Sequence, residues 1–306
     1  MTRGRHGRGL DHLLRPVIVV ATCLSLLTAV GCGGSKSHQA QGASATNRPA
    51  TTAQAPGSGA ASSVAEGATG AIMTFRYEEA ESPDAQAGRK LMVDAKVLES
   101  VSQHVNDTLN LPHDVAVVGK ACGDNDFWDP NANEVLLCYE DIAHSEQRFA
   151  NAGNPDAVQA AVDAKISAFY HELGHATLAI YDLAFTGREE DVADQLSAFE
   201  LLAPGADNQP YPNGVRIAMN TAQDWKLSAR EAGDANELPF WDGHPMDITR
   251  MYNWECWIYG SDTTANASIV TSGDLPEDRA GNCEDEFKNM SRAWHQLLDP
   301  HLKKPS

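Results

Sequence analysis

The sequence predicts an α+β protein, with a small early β-sheet and a mainly helical remainder. Short apolar runs with strand character cluster within residues 71–139. From residue 155 onwards, apolar residues recur at three- and four-residue spacing over long stretches, which is the periodicity of helices. Strands first and helices afterwards indicate the α+β class rather than an alternating α/β arrangement.

Three segments are predicted strands: residues 71–77, 115–118 and 134–139. The last two are separated by CGDNDFWDPNANE, a loop rich in Gly, Asp, Asn and Pro. We therefore expect these two strands to form a hairpin-like pair. The acidic residues of the loop lack the spacing of an EF-hand, so they favour a solvated turn over a calcium site.

Four stretches have helical periodicity: residues 88–109, 155–183, 187–202 and 282–298. A polar connection rich in Pro and Gly follows the third stretch, and a Trp-rich segment occupies residues 240–258. The second stretch is the longest, and its C-terminal half contains the sequence HELGH.

The N-terminus is typical of a bacterial lipoprotein signal. Residues 1–15 carry four arginines, residues 16–30 are almost wholly apolar, and small residues precede Cys32. The apolar run is 15 residues long, whereas a bilayer span needs about 20. We expect residues 1–31 to be removed and Cys32 to be lipidated. A permanent transmembrane helix and an ordinary secretory signal are the alternatives.

Residues 32–70 predict a flexible tether, because Gly, Ser, Ala, Thr and Gln dominate and charges are few. Residues 71–306 are then the folded domain, and their length is enough for one sizeable domain. We expect the protein to lie in the bacterial cell envelope, anchored to the membrane by lipid and facing outside the cytoplasm. It would be secreted if Cys32 is not lipidated.

The net charge excludes a nucleic-acid partner. The whole chain carries −19, and residues 1–31 contribute +3, so the remainder carries −22. A nucleic-acid-binding protein would show a basic patch or stripe, and the sequence has none. Strong acidity also favours solubility and opposes docking on anionic lipid head groups.

The cysteines predict two disulfide bonds. Of six cysteines, Cys23 leaves with the signal and Cys32 is the lipid site. The four that remain are Cys122, Cys138, Cys256 and Cys283. An even number in an exported protein indicates disulfides, with three possible pairings. We favour Cys122–Cys138 and Cys256–Cys283, because each closes a local loop. A zinc site made of all four is disfavoured, since no Cys-x-x-Cys pair occurs.

The sequence HELGH predicts a metal site. His171 and His175 lie four residues apart on a predicted helix, so their rings project from the same face. Glu172 directly follows the first histidine, where a zinc hydrolase has its general base. The alternative is an accidental histidine pair on an amphipathic core helix.

A zinc hydrolase needs three protein ligands and an open position for water. Glu190 lies on the next predicted helix and is the expected third ligand. Asp194, one turn later on the same face, could accept the free ring N–H of a ligating histidine. Glu189 competes as a ligand, but Thr186 and Glu189 also match a capping box. Asp191 is a poorer candidate for the third ligand, because it lies about 100° around the helix from Glu190.

These motifs resemble a bacterial family of metallopeptidases of unknown function, over about residues 75–300. The matching pieces are Cys122-Gly123, Asn125, Phe127 to Pro130, Leu137 to Glu140, His171 to His175 and Gly187 to Asp194, then His244-Pro245, Arg250, Tyr252-Asn253, Cys256 and Tyr259-Gly260. Asp126 departs from the pattern, which has a small residue there. The Glu190-to-Asp194 element is also similar to that of gluzincin peptidases.

The resemblance implies a zincin-like fold and peptide-bond hydrolysis with one zinc ion per chain. It also implies an edge strand beside the HELGH helix that pairs with an extended substrate, for which residues 134–139 are the candidate. Manganese and cobalt are alternatives to zinc, which nitrogen and oxygen ligands favour in a tetrahedral site.

The expected mechanism assigns proton transfer to Glu172. The segment around residues 241–257 offers His244, Arg250 and Tyr252 as groups that could stabilise an oxyanion, and we assign this role to His244. The alternative for all three is structural packing in an aromatic segment.

Two further functions stay open. The chain could be a non-catalytic envelope lipoprotein that keeps the scaffold as a binding or structural module, or a zinc hydrolase for substrates other than peptides. Glu172 favours an enzyme, because a structural zinc site usually has four protein ligands and no use for an adjacent base.

Overall fold

The computed structural model describes residues 70–123, 125–205, 209–231 and 240–303. The predicted signal segment, Cys32 and nearly all of the predicted tether lie outside these residues. Within the described ranges, no helix combines the length and the apolar character that crossing a membrane requires.

The described residues form a four-stranded mixed sheet in the order β1-β2-β4-β3. Its strands are β1 (Met73–Tyr77), β2 (Val115–Lys120), β3 (Phe127–Asp129) and β4 (Glu134–Cys138). β2 pairs in parallel with both β1 and β4, and β3 pairs antiparallel with β4. The interior strands are the most buried, as expected for a sheet covered by helices.

The predicted hairpin between residues 115–118 and 134–139 is wrong, because β2 and β4 run parallel. The hairpin joins β3 to β4 instead. Asn133 at its turn adopts the left-handed conformation (φ 55°), and the backbone N–H of Asn131 donates to Asp129 Oδ1 (2.9 Å). β4 is therefore an interior strand, and the edge strand on this side is β3.

Ten helices account for most of the remaining described residues. They are α1 (Pro83–Asp94), α2 (Val97–Thr108), α3 (Tyr139–Asn151), α4 (Ala157–Ile180), α5 (Glu189–Leu202), α6 (Gly214–Glu231), α7 (Asp247–Ser261), α8 (Ser268–Thr271), α9 (Glu277–Ala280) and α10 (Cys283–Leu298). With strands early and helices throughout the remainder, the predicted α+β class is confirmed.

Three helices differ from expectation. The predicted helix 88–109 is two helices, because the chain turns at Lys96, which adopts a left-handed conformation (φ 52°). α1 also begins earlier, where the Ser82 hydroxyl accepts from the backbone N–H of Ala85 (3.2 Å) ahead of Pro83. α6 lies in the segment expected to be a polar connection, although its buried residues, including Ile217 and Leu227, follow helical spacing.

Helix α4 is the central element of the described residues. It contacts α3, α5 and α6 as well as β3 and β4. Phe169, Tyr170, Leu173 and Ala176 on it are almost completely buried. Because neighbours constrain this helix on several sides, the side chains in its second half have well-defined positions.

Both expected disulfides are formed, Cys122–Cys138 and Cys256–Cys283. The first joins the loop after β2 to the end of β4, and the second joins α7 to the start of α10. All but Cys122 of these cysteines are fully buried. Each bond closes a short loop and so stabilises the fold largely by restricting the unfolded chain.

Glu255 on α7 is a carboxylic acid buried away from the HELGH motif. Only 6% of the residue is exposed, and its Oε2 atom has no hydrogen-bond partner. Burial raises the pKa of Glu255 to about 7, with Lys226 lowering it and Asp274 raising it. The protonated form is therefore favoured in the folded protein below about pH 7.

We expect the protein to lose stability as the pH rises from about 4.5 to about 7.5, and Glu255→Gln to reduce that loss. The folded pKa of Glu255 lies above the unfolded value of about 4.3. This contribution is therefore complete below the unfolded pKa and is lost as the pH rises through the folded one. The difference between the two proteins should be on the order of 2 kcal/mol.

Urea denaturation of both proteins at the two pH values measures this difference. Glu277→Gln, which changes an exposed acid, is the matched control. An identical pH dependence in wild type and Glu255→Gln would contradict the assignment.

Candidate metal centre

The centre is built on the contact between α4 and α5. His171 and His175 project from the same face of α4, and their rings lie edge to face with centroids 5.0 Å apart. Glu190 and Asp194 project from the facing side of α5. The two helices approach closely at Gly174, where an added Cβ would lie 2.8 Å from Ala193 Cα. Gly174 therefore lets the ligand-bearing residues of the two helices come together.

Three donor atoms form a nearly regular triangle. The Nε2 atoms of His171 and His175 lie 3.3 Å apart. Glu190 Oε2 lies 3.2 Å from the first and 3.5 Å from the second. A tetrahedral ion with bonds of about 2.0–2.1 Å separates its ligand atoms by about 3.3 Å. These three side chains therefore fit a divalent cation.

Glu190 Oε2 lies 3.2–3.5 Å from the Nε2 atoms of three histidines, His171, His175 and His244. The atom is buried and has no hydrogen-bond partner, although imidazole nitrogens surround it. A buried carboxylate oxygen without a partner is unfavourable unless something else satisfies it, and a cation would do so. Glu172 is the other acid within reach, with donor atoms within 4.8 Å of those of both histidines. Its Oε1 lies farther from His171 Nε2, at 3.9 Å, and so suits a base better than a ligand.

Each histidine on α4 has a carboxylate behind its ring. His171 Nδ1 donates to Asp194 Oδ1 (2.8 Å), and His175 Nδ1 donates to Glu189 Oε1 (2.9 Å). These bonds direct both Nε2 atoms into the triangle and increase their basicity. The predicted capping box is wrong, because α5 begins after Arg188, and Glu189 contacts His175 instead.

Arg250 from α7 supports Asp194 from behind. Its Nε donates to Asp194 Oδ2 (2.8 Å), and its Nη2 contacts Oδ1 of the same carboxylate. The guanidinium also lies 3.7 Å over the ring of Trp225. Arg250 was one of three candidates to stabilise an oxyanion, but it lies behind His171, on the side away from the triangle. Tyr252, another candidate, packs against the core.

A family comparison agrees with this arrangement. The model of the family described as "Putative metallopeptidase" (DUF4344) matches residues 77–298. The chain belongs to the DUF4344 family. This confirms the resemblance seen in the sequence. No curated protein and no solved structure matches the chain.

His244 is the third histidine that this DUF4344 member brings to the centre. Its Nε2 lies 3.2 Å from Glu190 Oε2. Its Nδ1 donates to Asp242 Oδ1 (2.8 Å), which also accepts from the backbone N–H of His244 (2.9 Å). The sequence identified His244 but missed Asp242, for which the Asp-x-His spacing was the available signal. Almost half of the His244 side chain is exposed, so it stands at the mouth of the centre.

The buried charges balance one another. Burial opposes the charged form of His171, but Asp194 and Glu190 outweigh it and raise the pKa of His171 to about 9. Burial alone would raise the pKa of Glu190, yet His171 and His175 hold it well below its ordinary value. Burial raises the pKa of Glu172, while both histidines and a backbone hydrogen bond from Trp128 lower it. Glu172 is thus a carboxylate with increased affinity for a proton.

A second cluster of buried charges lies on the face of α4 that also bears Glu172. Lys165, seven residues before Glu172, donates to Asp126 (2.7 Å and 2.9 Å) and to Asp141 (2.5 Å). The predicted solvated turn therefore does not hold for Asp126, whose carboxylate also accepts from the backbone N–H of Cys138 (2.7 Å). This pairing with Lys165 explains why Asp126 is an acid where the family pattern has a small residue.

The centre opens into a cleft of about 590 Å³. The cleft runs along α4 between α3, α6 and α7, and its lining includes His171, Glu172 and His244. A more open depression of about 480 Å³ lies along α10 and contains none of these groups. The cleft is therefore the place where a substrate could reach His171, Glu172 and His244.

Gly174→Ala should weaken metal binding, because the new methyl group would force α5 away from α4 and displace Glu190 and Asp194. We expect zinc affinity to fall by about 10–100-fold, and stability to fall by about 1–3 kcal/mol. Competition with a chromogenic chelator measures the affinity. Gly281→Ala is the control, since an added Cβ there meets nothing within 4 Å. Equal affinity for Gly174→Ala and wild type would show that the helix contact does not determine the ligand geometry.

Proposed function

We propose that this protein is a zinc-dependent peptide-bond hydrolase of the gluzincin type. One observation carries the proposal. The triangle of His171, His175 and Glu190 has the dimensions of a zinc site, and the carboxylate of Glu172 stands beside it. Family membership supports a peptidase. A site carried by two helices beside a small sheet is consistent with a zincin-like fold.

In this proposal His171, His175 and Glu190 hold one zinc ion per chain, leaving a fourth position for water. Asp194 and Glu189 orient the two histidines through their Nδ1 atoms. When bound, zinc supplies Lewis acidity, which lowers the pKa of water and polarises a substrate carbonyl. Nitrogen and oxygen donors in this geometry favour zinc over harder cations.

Glu172 is the general base. It accepts a proton from the attacking water and returns it to the leaving amine. Its burial and increased proton affinity suit both steps. A structural site would have no use for this acid, which is why hydrolysis is favoured over the non-catalytic binding module.

His244 is the group assigned to the oxyanion. Its Nε2 faces the centre, and Asp242 holds its other ring nitrogen. In its doubly protonated form the ring can donate one hydrogen bond to the oxyanion and keep the one to Asp242.

The free edge of β3 is the proposed site for the peptide backbone. This strand replaces residues 134–139 as the candidate, because β4 is paired on both sides. β3 also contacts α4, the helix that bears the base. An extended peptide on this edge would add a strand to the sheet.

The N-terminal sequence supports a proposal for where the protein is located. We propose that residues 1–31 are a lipoprotein signal, that lipidated Cys32 anchors the chain, and that residues 32–70 tether the domain of residues 71–306. The anchor would hold the site on the outer face of a bacterial membrane, where disulfides such as those of this fold persist.

The purified protein should bind about one zinc ion per chain. His171→Ala and Glu190→Ala should each lose the metal, since a site with two remaining ligands binds weakly. Elemental analysis after supplying zinc measures the content, and circular dichroism checks the fold. A well-folded wild-type protein without metal would favour the non-catalytic binding module.

Glu172→Gln should retain zinc and lose peptide hydrolysis by about 10²–10⁴-fold, the usual contribution of a general base. Cleavage of a peptide library by the zinc-loaded proteins measures this. Glu284→Gln is the control, because it changes an acid on α10 outside the centre and should leave activity unchanged. Full activity in Glu172→Gln would refute the assignment of the base.

A further inference from the structure

The cleft beyond the metal centre is lined by more acidic than basic side chains. Among the described residues that line it, five acids lie outside the centre: Asp126, Asp141, Asp224, Glu231 and Asp247. The basic side chains there, apart from histidines, are Lys165 and Arg148. Arg250 also lines the cleft but belongs to Asp194.

The cleft's basic groups are already engaged. Arg148 donates to both oxygens of Asp224 (3.1 Å each). Lys165 is almost fully buried between Asp126 and Asp141. An anionic substrate would therefore find no available cation among these side chains, and it would meet the field of the acids.

The other three acids, Asp247, Asp141 and Glu231, are less fully paired. Asp247 accepts from the neutral Ser228 hydroxyl (2.7 Å), so its charge is not compensated by that bond. Asp141 shares Lys165 with Asp126, and its side chain keeps 28% exposure. Glu231 lies on the same wall as Asp224, at the exposed end of α6. A cation that enters the cleft would thus gain interactions with carboxylates on α3, α6 and α7.

A separate feature of the cleft wall is a buried hydrogen-bond donor without a partner. Trp254 lines the cleft and is 1% exposed, and its indole N–H has no hydrogen-bond partner. An indole nitrogen can only donate. The carbonyl groups of a bound peptide backbone are acceptors that could satisfy it.

The length of the cleft limits where the cation sits. Asp141 contacts Lys165, which lies seven residues, or about 10 Å, before Glu172 along α4. An extended peptide advances about 3.3 Å per residue. Asp141 is therefore within reach of side chains up to about three residues from a bond held beside Glu172.

We propose that the substrates are cationic peptides, with a lysine or arginine side chain within about three residues of the scissile bond, received by Asp141, Glu231 and Asp247. This inference rests on the peptide hydrolase proposed above and names its substrate class. The remaining lining is compatible with the rest of the peptide, since it includes the small side chains of Ala161, Ala164 and Ala168 on α4.

Matched fluorogenic peptides test the proposal with the zinc-loaded full chain. One scaffold carries lysine, norleucine or glutamate in turn at each position flanking the cleaved bond. The lysine peptide should be cleaved with a kcat/KM about tenfold above that of the norleucine peptide at the best position, and the glutamate peptide should be poorest. Raising the salt concentration should reduce the preference.

Two substitutions localise the preference. In Asp247→Asn and Glu231→Gln, the ratio between lysine and norleucine peptides should fall several-fold, chiefly through KM. Glu284→Gln, which removes one charge on α10 outside the cleft, should leave the ratio and the activity unchanged. An unchanged ratio in both cleft variants would overturn the proposal.

Failure of the inference and failure of the hydrolase are distinguishable. Equal cleavage of lysine and norleucine peptides, abolished in Glu172→Gln, would keep the hydrolase and overturn the cationic preference. If no peptide is cleaved, fluorescence anisotropy measures binding of the same peptides to the wild-type protein. Tighter binding of the lysine peptide would then support the cationic cleft without catalysis, and equal binding would overturn both.

Discussion

The close contact between α4 and α5 is the constraint on which the centre depends. The absence of a side chain at Gly174 lets the backbone of α5 lie against α4 at Ala193. His171 and His175 then face Glu190 at 3.2–3.5 Å. Neither helix alone contains the triangle, so the distance between two backbones decides whether three donor atoms can bind one ion.

A chain of charges fixes these donor atoms in place. Arg250 holds Asp194, Asp194 holds His171, and His171 faces Glu190. Asp194 is paired with both Arg250 and the ring of His171, which is how its charge can be buried without a large penalty. The base, Glu172, has no basic side chain assigned to it alone, and this leaves it able to take up a proton.

The local features of the site were accessible from the sequence. HELGH, Glu190 and Asp194 follow from helical periodicity, because residues four apart share a face whatever surrounds the helix. The contacts that cross the fold were not accessible in this way. The parallel pairing of β2 with β4, the burial of Asp126 against Lys165 and the place of Arg250 behind His171 all depend on which distant segments meet. Glu189 shows most clearly what the sequence alone does not decide. A glutamate at this position fits both a capping box with Thr186 and a hydrogen bond to His175, and the structure shows the second.

Two sets of contacts build the centre, those between α4 and α5 and the bond from α7 to α5. They differ in the length of the chain segment that each one closes into a loop. The contacts between α4 and α5 join residues 14 to 23 positions apart. The bond from Arg250 to Asp194 closes a segment of 56 residues. Because the entropy lost on closing a loop increases with its length, the helical hairpin that bears the ligands can form before α7 docks. That order would complete the α4–α5 hairpin before the contact from α7 that makes the site rigid.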